Sequence, residues 1–225
     1  MKIVILPGLD GTGELLADVE ELLMPEHTVM IIRYPSDLQT YKEIQEWIEC
    51  KLPHDDYLIV AESFAGPLAI MISSKKPIGL KGVAFVASFT RTPMKLPLLL
   101  TYAAKIMPFR SHWLTWLAQP LLMGKWSNKN FRKKLRHALI LVPAATLAGR
   151  LREILRADVT GALGQLTVPI IYLMATHDRL VPSRMSLDFQ ISPGVVSSIE
   201  GPHFLLQANA HQAAEHISQF AKSLW

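Results

Sequence analysis

Ala61-Glu62-Ser63-Phe64-Ala65-Gly66 joins a continuous apolar run, Tyr57-Leu58-Ile59-Val60-Ala61, to a segment that opens Pro67-Leu68-Ala69-Ile70. The run has the length and apolar continuity of a parallel strand buried on both faces. Pro67 suits the first turn of a helix, where a missing amide costs little. A serine at this junction sits in a tight strand-to-helix turn, the context that a G-x-S-x-G pattern requires. Residues two before and two after such a serine must be small, because their β-carbons crowd in the turn. Here they are Ala61 and Ala65, each in place of glycine.

Outward from this junction the same alternation recurs. Short apolar runs at 2–6, 28–32, 57–61, 82–87, 168–174 and 195–199 read as strands, several of them continuously apolar. Segments 14–23, 40–51, 66–74, 183–190 and 207–224 read as helices between and after them. Strand-helix alternation of this kind predicts an α/β fold with about six mostly parallel strands flanked by helices. One stretch interrupts the rhythm. Between Ser88 and about Gly164 there is no strand pattern, only Leu, Met, Trp and basic residues at helical spacing, cut by prolines at 93, 97, 108, 120 and 143. Trp113, Leu114, Trp116, Leu117 and Leu121 form a candidate apolar face. The expected organisation is a core of 1–88 and 165–225, with 89–164 inserted as a helical cap.

Composition bounds the classes available. A chain of 225 residues, half of them apolar, suits one domain with an insertion and a sizeable core. The single cysteine, Cys50, excludes an internal disulfide framework and fits a reducing compartment. No Cys/His spacing suits a metal, and no cofactor motif occurs. The N-terminal apolar run ends in Pro7-Gly8, too short for a signal peptide. The longest apolar region, 94–123, is broken by Lys95, Pro97, Lys105, Pro108 and Arg110, so no transmembrane segment is expected. The expected location is the cytoplasm.

The net charge of +4 is unevenly distributed. From Arg91 to Arg156 there are thirteen Lys and Arg against Glu153 alone, a formal +12, while the rest of the chain holds ten basic and eighteen acidic residues, or −8. Arg132, Lys133, Lys134, Arg136, Arg150, Arg152 and Arg156 are the candidate partner-binding residues of this basic segment.

A serine becomes a nucleophile only beside a base, and the base needs an orienting carboxylate. Asp178, in Thr176-His177-Asp178-Arg179-Leu180-Val181-Pro182, follows the run 168–174; His203, in Gly201-Pro202-His203-Phe204, follows 195–199. In a parallel sheet both fall at the carboxyl edge, with Ser63. Taken singly, Asp178 also reads as a helix cap and His203 as a loop histidine. Together the three point to a Ser-His-Asp triad in the order Ser, Asp, His. Acyl transfer also needs amides aimed at the developing oxyanion. The glycine-rich turn Leu6-Pro7-Gly8-Leu9-Asp10-Gly11-Thr12-Gly13 offers the Leu9 amide, and Phe64 offers the second. The glycine spacing there does not match a G-x-G-x-x-G dinucleotide loop. The other seven histidines, among them His177 next to the acid, carry no partner pattern.

On the segments 7–13, 61–66, 177–182 and 201–204 the chain resembles the α/β-hydrolase superfamily, and the resemblance covers nearly its whole length. It implies a minimal hydrolase fold that begins at the strand carrying the oxyanion loop, without the two leading strands usual in the family. Pro7 stands where many relatives have histidine. Among the branches, the basic helical cap resembles that of esterases demethylating pimeloyl-acyl-carrier-protein methyl ester in biotin synthesis. The resemblance implies a carboxylesterase using an acyl-enzyme. Its substrate would be held on an acidic carrier protein drawn to the basic cap. The residues alone leave a thioesterase, lipase or acyltransferase open. A binding module of the same fold stays open too, as does peripheral contact with an anionic membrane. The basic run 131–136 reads as one solvated helix face rather than a nucleic-acid site.

Overall fold

A computed structural model describes residues 1–94, 119, 122–190 and 194–224. Six strands, β1 (Lys2–Leu6), β2 (Thr28–Ile31), β3 (Tyr57–Glu62), β4 (Leu80–Val86), β5 (Ile170–Ala175) and β6 (Gly194–Ile199), form one sheet in the order β2-β1-β3-β4-β5-β6. Every pairing is parallel. The helices are α1 (Ala17–Leu23), α2 (Tyr41–Glu49), α3 (Ala65–Ser74), α4 (Lys129–Ile140), α5 (Ala144–Arg156), α6 (Thr160–Leu163), α7 (Leu205–Ala208) and α8 (Ala210–Ser223).

Alternation along each strand builds a core on both faces of the sheet. Val4, Leu6, Ile59, Ala61, Val83 and Phe85 face one side, where Ile44 and Ile48 of α2 and Leu68 of α3 cover them. Ile3, Ile5, Leu58, Val60, Ala84 and Val86 face the other, under Val19 and Leu23 of α1 and Ala213, Ile217 and Ala221 of α8. This double burial is why the strands read as unbroken apolar runs.

The order reverses at β1, whose neighbours are β2 and β3, and it is at the carboxyl edge of such a switch point that α/β sites assemble. Register pairs Leu6 with Ala61, so Pro7 and Gly8 leave the sheet beside Glu62 and Ser63.

The expected helices divide more finely than their composition suggested. Segment 14–23 is a 3₁₀ turn, Glu14–Leu16, leading into α1. Segment 183–190 is a 3₁₀ helix, Ser183–Phe189, in which Ser186 Oγ donates to the Ser183 carbonyl oxygen at 2.8 Å. Such hydroxyls compete with the α-helical ladder. Segment 207–224 breaks at Asn209, whose backbone (φ −138°, ψ 55°) is not helical, giving α7 and α8.

The two ends of segment 89–164 meet. Arg91 bridges Asp158 antiparallel, with Thr92 N–H donating to the Ala157 carbonyl and Val159 N–H to that of Thr90. Asn128 caps α4 by accepting from the Phe131 amide at 2.8 Å. Phe131, Leu135 and Ala138 of α4 pack with Met123 and with Leu15 of the 3₁₀ turn, and the Phe131 ring meets Phe204 at 5.1 Å. The Trp113, Leu114, Trp116, Leu117 and Leu121 cluster lies outside the described residues. No helix of the described residues is long and apolar enough to cross a membrane.

Candidate active site

Ser63 is the first residue past β3 and holds a left-handed backbone, φ +50°, a conformation that costs a non-glycine residue about 1–2 kcal/mol. Three hydrogen bonds hold it there. Ser63 N–H donates to the Val86 carbonyl (2.9 Å), while the Ser63 carbonyl accepts from Gly66 N–H (3.0 Å) and from Ser88 Oγ (2.7 Å). Strain so firmly held is characteristic of functional turns.

Ser63 Oγ lies 2.8 Å from His203 Nε2, and His203 Nδ1 lies 2.8 Å from Asp178 Oδ2. The His203 and Asp178 side chains are 7% and 5% exposed, so water competes little for either bond. Asp178 Oδ1 accepts from the Leu180 (2.8 Å) and Val181 (2.9 Å) amides, which aims Oδ2 at the imidazole. Since a carboxylate only accepts, Nδ1 carries the ring proton and Nε2 is left to take one from the serine. The three residues named from sequence therefore stand in one hydrogen-bonded line at the carboxyl ends of β3, β5 and β6.

The glycine-rich turn 7–13 lies at the end of β1. Gly11 N–H donates to the Gly8 carbonyl (3.1 Å), Tyr34 N–H to that of Gly11 (2.8 Å), and Tyr34 Oη to that of Pro7 (2.9 Å). Among the described residues neither the Leu9 nor the Phe64 amide donates to a backbone carbonyl. Phe64 is the N-cap of α3, where helix amides point outward and favour negative charge.

Two buried ionisable residues lie near the site, one not singled out from sequence and the other expected elsewhere. Glu62 is 5% exposed, accepts from Gln207 Nε2 at 3.0 Å, and lies beside the Gly8 amide. Burial pushes its carboxyl up to about 7, with Asp10 adding to the rise, while Gln207, His203 and the Gly8 amide oppose it. The signal was an acid set between an apolar strand and the serine. Arg150, expected on a partner-binding surface, is 0% exposed. Its guanidinium donates to the carbonyls of Leu9 (3.0 Å), Asp10 (2.7 Å), Pro35 (2.9 Å) and Leu38 (3.0 Å). It lies three residues after Leu147 and four before Ile154 on the inward face of α5, a spacing that marked it as interior.

The other basic candidates are distributed unevenly. Lys133 and Arg156 are exposed, and Arg132, Arg136 and Arg152 partly buried. Arg132 Nε donates to Gln119 Oε1 at 2.6 Å. Lys134 pairs with Asp18 (2.7 Å), while Lys125 and Arg91 pair with Glu200 (2.6 Å) and Asp188 (2.9 Å). Part of the segment's positive charge thus faces the acidic body. His177 is exposed, its ring 5.2 Å from that of Trp126.

No protein-family model and no curated protein matches the sequence. Solved structures do match. The chain is similar to a bromoperoxidase from Bacillus anthracis at 15% identity, with a TM-score of 0.86 over 98% of this chain and 91% of that one. It is similar to an enol-lactonase from Burkholderia xenovorans at 13% identity, TM-score 0.85, over 98% and 91%. A thermophilic esterase from Thermogutta terrifontis gives 15% identity and a TM-score of 0.82 over 100% and 90%. Likeness at this identity establishes architecture. The chain has the α/β-hydrolase fold, in a minimal form with one six-stranded parallel sheet.

Proposed function

We propose that the protein is a serine hydrolase of carboxylic esters, with Ser63 as nucleophile, His203 as general base and acid, and Asp178 as the residue that orients and stabilises the imidazolium. The observation carrying this reading is the unbroken line Ser63 Oγ–His203 Nε2–Asp178, with both links at 2.8 Å and the serine raised on a left-handed turn. His203 Nε2 takes the Ser63 proton as Oγ attacks the ester carbonyl. The carbonyl oxygen becomes an oxyanion received by the Leu9 and Phe64 amides. As the tetrahedral species collapses, the alcohol leaves with the proton from His203. Water, deprotonated by the same nitrogen, attacks the acyl-enzyme, and the acid departs with the proton returned to Ser63.

The proposed substrate is pimeloyl-acyl-carrier-protein methyl ester, demethylated in the cytoplasm. Segment 89–164 is proposed as a helical cap guiding the acyl chain. Support comes from the +12 of residues 91–156, of which Lys129, Lys133 and Arg156 stay exposed. An acidic carrier would be steered to such a face.

The test is hydrolysis of the methyl ester of a medium-chain diacid, free and carrier-bound, by wild type and Ser63→Ala. Serine-dependent turnover is expected to fall by about 10⁴–10⁶-fold in the variant, with a carrier preference that weakens as salt is raised. Wild-type turnover by Ser63→Ala would remove the hydrolase reading. Serine-dependent turnover with no carrier preference would remove the carrier alone.

A further inference from the structure

The position of Arg150 is unusual for an arginine. Among the described residues it has no carboxylate within hydrogen-bond reach; it is fully buried and places its donors on four main-chain carbonyls in two loops. A buried guanidinium is tolerated only where its N–H groups are satisfied. Burial pulls its pKa down, while the Tyr34, Asp10 and Asp37 side chains pull it back up. The Tyr34 ring lies 5.6 Å from the guanidinium carbon. A β-carbon on Gly11 would stand 2.7 Å from Arg150 Nη1 and 2.6 Å from Tyr34 Cδ2, so the turn leaves no room for a side chain at 11.

We propose that Arg150 is the positioning residue of the oxyanion turn: from helix α5 it fixes the peptide plane on one side of Leu9, while the Gly11-to-Gly8 hydrogen bond fixes the plane on the other. The inference rests on the hydrolase reading given above. The Leu9 amide shares a peptide plane with the Gly8 carbonyl, and in a trans peptide the two point in opposite directions. Holding Gly8 O toward Gly11 N therefore aims Leu9 N–H away from it. The next plane is held by Arg150 through the Leu9 carbonyl, and the plane after that through the Asp10 carbonyl. With both flanking planes pinned, the Leu9 amide cannot swing between substrate and transition state. An oxyanion donor contributes to rate in proportion to such preorganisation. Two further bonds, to Pro35 and Leu38, tie the same guanidinium to the loop after β2, so α5 and two core loops share one fastening.

Arg150→Lys keeps the charge but loses the planar fork. Arg150→Ala opens a space that an added guanidinium ion can enter. Both are measured against wild type and Ser63→Ala on a p-nitrophenyl ester, with hydrogen exchange followed on peptides covering 7–13 and 34–39. The expected result is a fall in kcat of about 10²–10³-fold with KM changed by less than about threefold. Sub-denaturing guanidinium should partly restore Arg150→Ala but not Ser63→Ala, and exchange should quicken in both loops. Folded Arg150→Lys with wild-type kcat and unchanged exchange would overturn the proposal. So would a loss expressed only in KM, or one guanidinium cannot relieve while Arg150→Lys stays folded. If wild type shows no Ser63-dependent turnover, the hydrolase reading fails and Arg150 loses its catalytic meaning, whereas quickened exchange would still show the fastening itself.

Discussion

Ser88 Oγ donates to the Ser63 carbonyl at 2.7 Å from the space a β-carbon on Gly66 would occupy. The hydroxyl and the missing side chain are two halves of one contact, by which the end of β4 braces the turn after β3. Gly66→Ala would press on Ser88 Oγ and on Ser88 Cβ, 2.9 Å away, and on the Phe89 carbonyl at 3.3 Å. It is expected to cost about 1–3 kcal/mol, as overpacking does. Ser88→Ala, which removes only the hydrogen bond, is expected to cost about 1 kcal/mol. Denaturant unfolding midpoints of the two variants check the order. Equal midpoints would mean that Gly66 is not held against Ser88.

The left-handed backbone of Ser63 predicts a stability gain from losing its side chain altogether. Glycine adopts φ +50° without the steric cost of about 1–2 kcal/mol, against an entropic cost of about 0.5–1 kcal/mol. Ser63→Ala retains the β-carbon and its strain. Both variants lose the hydroxyl bond to His203 and both should be inactive, so their difference isolates the backbone. Ser63→Gly is expected to be the more stable by up to about 1 kcal/mol, read from thermal unfolding. A less stable glycine variant would show that the turn is not strained at this residue.

The sheet and the meeting of Ser63, His203 and Asp178 at its edge were legible because both are written in local patterns. Residues 3–6 and 57–61 are apolar without interruption, as double burial demands, and the observed strands begin at Lys2 and Tyr57, where the expected ones do. Ser63, Asp178 and His203 each follow such a run, and a parallel sheet brings the ends of its strands to one edge. Arg150 was misread because charge outweighed position: one arginine among thirteen basic residues reads as surface, although its spacing from Leu147 and Ile154 places it inside. Ser88 carries its significance in a long-range contact with Ser63 that no local pattern encodes. Glu62, by contrast, is marked locally as an acid between an apolar strand and the serine, and only its partner Gln207 is distant in sequence.

Asp178→Asn tests the tautomer argument. Among the described residues Asp178 accepts three hydrogen bonds, two from the Leu180 and Val181 amides on Oδ1 and one from His203 on Oδ2. An asparagine whose oxygen keeps the turn amides must turn its NH₂ toward Nδ1. That nitrogen then becomes the acceptor, the ring proton moves to Nε2, and no lone pair is left for the Ser63 hydroxyl. The expected fall in kcat is about 10⁴-fold with the fold retained. Steady-state kinetics with a circular dichroism control measure it. A loss under about tenfold would mean that the orientation of His203 does not depend on this carboxylate.

Glu62 makes the protein's stability depend on pH in a direction opposite to that of a salt-bridged acid. Its carboxyl is pushed up to about 7 from the ordinary 4.5, chiefly by burial. Between those values the folded chain holds a proton that the unfolded chain has released. Protons bound more tightly by the folded state stabilise it at low pH, and the advantage fades as pH rises through the folded value. The interval from 4.5 to about 7 corresponds to about 3 kcal/mol. Glu62→Gln removes the titration. Its amide can keep one of the two bonds, to Gly8 or Gln207, and a flipped Gln207 supplies its otherwise unpartnered Oε1 to the new NH₂. The stability difference between wild type and Glu62→Gln, from urea unfolding at intervals between pH 4.5 and 8, is expected to move by about 3 kcal/mol against wild type and to level off above pH 7. Parallel stability curves across that range would mean that Glu62 is ionised throughout, and that its burial beside the serine is matched by stronger bonds than those to Gln207 and Gly8.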